Sequence, residues 1–148
     1  MQKAYKLSIL YYLAFSLLLI TSAVMLFEHK IGFSVNQVLE YYIGSEDKFI
    51  PTKSAIGVLK LLLPHIFAFG LFVMILLHFL VFTKQRYKKS ILTVIYLTFI
   101  TALLEIFTPL MIINGFAFFA YIKFFSFFAF LSLILYISWL LFCSIVYE

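Results

Sequence analysis

Two histidines and one glutamate stand inside otherwise apolar sequence, and they are the side chains with chemistry to offer. His65 and His78 interrupt residues 61–82, LLLPHIFAFGLFVMILLHFLVF, a run without Lys, Arg, Asp or Glu. Glu105 lies in the apolar run 91–113, with Thr101, Thr108 and Pro109 on either side. An ionisable group at the centre of a membrane helix costs about 2.5–3.5 kcal/mol on insertion scales, so each is a candidate site facing the bundle interior. At about 1.5 Å of rise per residue, Glu105 lies about 12 Å below the outer end of its helix and His65 about 6 Å below that of its own. Two side chains can close such an offset, whereas His78, about 25 Å down, is out of reach of Glu105. Pro109 removes the hydrogen bond to the carbonyl four residues back, which is that of Glu105, and Pro64 does the same to Lys60. A small polar pocket of His65, Glu105 and Thr108 is therefore expected in the outer leaflet.

Three chemistries suit that pocket. A buried His65–Glu105 hydrogen bond would fix helix packing and spare Glu105 the desolvation of an unpaired carboxylate. Neutral imidazoles could instead take the axial positions of haem b, with His65 and either His29 or His78 as metal ligands. An intramembrane Glu and His can also relay protons or serve a quinone, although the inner half shows no continuous polar path. A four-helix membrane bundle with two histidines on one helix resembles the membrane subunits of b-type cytochromes. The resemblance covers only His65 and His78 and implies haem b and electron transport. The two are thirteen positions apart, one short of that family's usual spacing, which puts them about 19–20 Å and about 140° apart, facing different neighbours. No other span holds a histidine. One chain could complete a single outer haem between His29 and His65, with Lys53 or Lys60 for the propionates. A homodimer or a partner subunit would complete a site at His78.

The elements that must hold these residues follow from composition. Of 148 residues, 66% are hydrophobic and 11% charged, against about 45–50% and about 25% in soluble proteins. Residues 7–27, 54–83, 91–113 and 116–146 each supply the roughly 20 residues that a spanning helix needs. The fold expected is all-α and integral to the membrane, a four-transmembrane-helix bundle forming one domain over 1–148. A net charge of +5 could suit nucleic acid, but the cations flank apolar spans instead of forming a stripe with stacking aromatics. The lipid bilayer is the expected partner, and nucleic acid is not. Cys143 is the single cysteine, so no internal disulfide, C-x-x-C pair or zinc ribbon can form in one chain. P-loop, G-x-G-x-x-G, H-E-x-x-H and G-x-S-x-G sequences are absent, which removes those routes to soluble-type catalysis.

Residues 7–27 read as a retained helix and not as a signal peptide, because the run exceeds an h-region of about 7–15 residues and exits into Glu28, His29 and Lys30. In the outer loop, 28–53, Ser34 followed by Gln37 fits a capping box and Gly44 a C-terminal stop, predicting a short interfacial helix over 35–43. The aromatics of 116–130 are expected at lipid and interface. Ser126, Ala129 and Ser132 line up as a close-contact seam, and Lys123 is expected to snorkel to the surface. Lys3, Lys6 and the cluster Lys84, Arg86, Lys88, Lys89 place both termini in the cytoplasm. The location expected is a bacterial inner membrane. The function expected is a small haem-binding or redox-chain-associated protein near a quinone pool. Its alternative is a non-catalytic accessory subunit of a larger membrane complex.

Overall fold

The computed structural model describes residues 3–83 and 89–147, and within them the chain is helical: α1 (Lys3–Lys30), α2 (Val35–Ile43), α3 (Ala55–Val81), α4 (Lys89–Ile113) and α5 (Phe119–Tyr147). α1, α3, α4 and α5 are long and apolar enough to cross a membrane. Lys84, Arg86 and Lys88 of the basic cluster lie outside the described residues. The short outer helix has the predicted bounds, with the Ser34 side chain accepting from the Gln37 N–H and the Gly44 N–H bonding the carbonyl of Glu40. Ser54 opens the next helix, accepting from the N–H of Gly57 at 3.1 Å.

α5 begins at Phe119 and not at 116 because the turn needs more chain. Gly115, at φ +95°, bonds the carbonyl of Ile112, and the N–H of Phe116 reaches back to Met111. This pair of bonds is a Schellman stop, and it forces 116–118 into turns before helix can resume.

α5 is the centre of the bundle, since α1, α2, α3 and α4 all pack on it. Its sequence shows how. Ala120, Lys123, Phe127, Phe130, Ile134, Ile137, Leu141 and Ser144 are all buried and alternate at steps of four and three, the spacing that keeps one helical seam against its neighbours. The expected small-residue seam departs from this stripe: Ser126 is buried, but Ala129 and Ser132 are exposed. The aromatic run divides likewise, with Phe127 and Phe130 in the core and Phe116, Phe118, Tyr121 and Phe125 outside.

α1 is held by rings. Tyr12 donates to the carbonyl of Phe72 at 2.7 Å and packs edge-on to Phe79, while Phe27 stacks on Phe127 with centroids 4.0 Å apart. Where α1 begins and α5 ends, Lys6 donates to the carbonyl of Ile145 at 2.9 Å, so both ends of the described chain lie on one side of the bundle. An apolar cavity of about 70 Å³ remains between α1, α3 and α5, walled by residues such as Ala23, Ala68, Phe72 and Phe130. Filling it with Ala23→Val should raise the thermal midpoint in detergent by a few degrees at most, roughly, because the added methyls gain the van der Waals partners that the void withholds. A lowered midpoint would show that the space is already too tight.

Candidate functional site

The polar centre of the bundle is an ion pair between α4 and α5. On α4, Thr98, Thr101, Glu105 and Thr108 recur at helical spacing on the buried face. The threonines satisfy themselves by donating four residues back, to Val94, Leu97 and Leu104. A carboxylate cannot do that, and Glu105, only 4% exposed, must find donors elsewhere. The antiparallel neighbour supplies them. Lys123, 8% exposed, donates to one carboxylate oxygen, and the Ser126 hydroxyl donates to the other at 2.5 Å. The lysine also donates to the backbone carbonyl of Glu105 at 3.1 Å. That carbonyl is the acceptor Pro109 leaves bare, since proline has no N–H to offer it. One ammonium thus neutralises a buried carboxylate and satisfies a broken helical hydrogen bond.

α2 packs on α4 and α5 and buries Val38 and Tyr42, bringing Tyr42 near Glu105. Burial pushes the Tyr42 phenol up from its ordinary range, and the neighbouring Tyr41 and the negative charge of Glu105 add to the effect. The phenol therefore stays protonated beside the pair. On the opposite side Ser126 also lines a lateral groove of about 510 Å³, with Thr101, Leu104, Tyr121, Phe125 and Ala129.

His65 does not join the pocket. It is exposed on α3, its Nδ1 lies 2.6 Å from the carbonyl of Leu61, and its ring packs edge-on to Phe69. α3 begins at Ala55, so His65 lies about 15 Å from that end at the helical rise and not about 6 Å, and it misses Glu105 because it faces outward. Lys123 was expected at the surface, and the correction has a physical reason: it sits on the buried seam of α5, where its charge is needed. That seam, legible as the four-and-three spacing from Ala120 to Ser144, is the signal that would have found it.

The remaining candidates lie apart from the pair. His78 is exposed and packs edge-on to Phe82; His29 is exposed in the last turn of α1, where a basic residue favours the helix dipole. Lys53 stands 4.0 Å over the ring of Tyr41, a cation–π contact joining α2 to the start of α3. Lys60 is exposed. Among the described residues no three of His, Cys, Asp or Glu come together as a metal site, and neither cavity has a histidine in its wall.

No curated protein and no solved structure matches this chain. A family model designated Aq_1264_TM matches residues 32–148, from just before α2 through α5, with α1 preceding the match. Four long apolar helices and a match over most of the sequence agree, and the chain belongs to this family of transmembrane helical domains.

Proposed function

We propose that the protein is a non-catalytic accessory subunit of a larger membrane complex, with both termini cytoplasmic and the bacterial inner membrane as its location. The observation that carries this reading is the saturation of Glu105. Its two carboxylate oxygens and its backbone carbonyl are taken by Lys123 and Ser126, so the buried carboxylate is committed to holding α4 against α5 and not to a proton or a quinone. The outward histidines support the same reading, because an imidazole in a span is ordinarily covered by protein.

A second reading rests on His65. A carbonyl only accepts, so in the 2.6 Å contact with Leu61 the donor is Nδ1–H, and a neutral ring bound this way would offer its Nε2 to a metal. That is the form of histidine that ligates metals, and a haem b held between this residue and a partner subunit would use it. The two readings separate on protein isolated in mild detergent. The accessory reading expects a colourless sample that elutes with stoichiometric partner subunits. A Soret band lost on His65→Ala would overturn it in favour of haem.

A further inference from the structure

The chain between α2 and α3 makes a tight turn that ends in an unexpected residue. Ser45 and Ile50 exchange two backbone hydrogen bonds of 2.9 Å, and the N–H of Phe49 bonds the carbonyl of Glu46 at 3.2 Å. Within this turn Phe49 has φ +54°, and no other non-glycine among the described residues has a positive φ. A left-handed conformation is costly for an L-residue with a bulky side chain, and the backbone would choose Gly, Asn or Asp there. Packing does not explain the choice either, because the Phe49 side chain is 94% exposed. A strained position that presents a bare aromatic points to something outside the chain against which the ring is buried.

The position of the turn identifies the occupant. The chain leaving it is pinned back to α2, by Thr52 donating to the carbonyl of Ile43 and by the Lys53 N–H bonding that of Tyr42 at 3.0 Å. α2 in turn lies against α4 and α5 over Glu105, about 12 Å below the end of α4 at the helical rise. The turn also ends five positions before α3 begins, so it is held beside the end of a spanning helix. Ile43 and Ile50 on either side of the turn are exposed, and on α3 the exposed Ile56, Leu59 and Leu63 recur at helical spacing on one face of a spanning helix that follows directly. Nearby charges balance, with Glu46 and Asp47 against Lys48 and Lys53, and Lys48 is tied to Glu40 at 2.7 Å. No preference for anionic headgroups follows from such a set.

We infer that Phe49 is a membrane anchor whose ring enters the boundary between headgroups and acyl chains, setting the depth at which α2 sits over the buried ion pair. The ligand is the bilayer itself, and zwitterionic lipid suffices. The inference does not depend on the accessory role, since either reading of function leaves this turn at the same interface.

Fluorescence tests it directly, because Trp139 is the single tryptophan. Phe49→Trp in a Trp139→Phe background is reconstituted into phosphatidylcholine vesicles. The expected emission is blue-shifted, loses intensity to bromines on shallow acyl carbons, resists aqueous acrylamide and does not change when anionic lipid is added. Emission typical of indole in water, open to acrylamide and blind to bromine, overturns the anchor and leaves the turn to a soluble partner. A second variant guards against local distortion. Phe49→Asn suits the backbone and should leave the detergent-solubilised protein intact, while trypsin cleavage after Lys48 or Lys53 becomes faster than wild type in vesicles. Equal cleavage of the two proteins in vesicles would also overturn the proposal.

Discussion

Lys123→Met is expected to lower stability by about 3–5 kcal/mol, because it leaves a buried carboxylate without its counter-charge. The loss has two parts in this protein. The carboxylate of Glu105 keeps only the Ser126 hydroxyl, and the carbonyl freed by Pro109 loses its donor. Glu105→Gln should cost less, since an amide oxygen still accepts from Ser126 or Lys123 and the backbone contact survives. If the pair acts as a unit, Lys123→Met with Glu105→Gln will be much less damaging than the sum of the single changes, as expected for residues in direct contact. The measurement is a double-mutant cycle by thermal or denaturant unfolding in detergent. Additive losses would show that the two side chains do not interact. Lys123→Arg offers a further check: the charge is kept, but a planar guanidinium must fit where a point ammonium reaches two different oxygens.

Gly44→Ala should be the most damaging change in the outer loop. Gly44 has φ +89° and ψ 179°, a region open essentially to glycine alone and costing about 1–3 kcal/mol for other residues. There is no room either. A Cβ would stand 2.5 Å from the carbonyl oxygen of Ile50 and 2.8 Å from the nitrogen of Thr52, both backbone atoms that cannot rotate away. The 45–50 turn and the start of α3 would have to shift together, lifting α2 from the ion pair. Gly115→Ala is the control. Its φ is +95°, but nothing lies within 4 Å of the added carbon, so only the conformational cost of about 1–2 kcal/mol remains. Melting in detergent should rank Gly44→Ala well below Gly115→Ala, and proteolysis at Lys48 or Lys53 should accelerate only in the former. Similar midpoints would mean that the turn moves freely against α2.

The difference between what sequence predicts and what forms is instructive at single residues. Ser34, Gln37 and Gly44 mark α2 completely because caps and stops are local, decided by a few neighbouring dihedrals. The spans follow from hydropathy for the same reason that lipid imposes them: backbone polar groups must be satisfied within the helix. Pro109 likewise announces a bare carbonyl at Glu105, since the missing N–H belongs to the sequence. What sequence does not contain is the rotation of one helix about its axis relative to another. His65 faces outward and Glu105 inward, and residue counting supplies no such direction. Lys123 shows the opposite error. Its nearness to the helix end suggests a surface role, while its membership of the α5 seam puts it inside.

The small void between α1, α3 and α5 makes the bundle soft at one place. Its walls are entirely apolar side chains, so it gives water no partner and stays dry. Hydrostatic compression favours states in which such empty volume disappears. Pressure should therefore loosen α1 from the remaining helices before it disturbs the α4–α5 hairpin, and a noble-gas atom lodged in the hole should oppose that loosening.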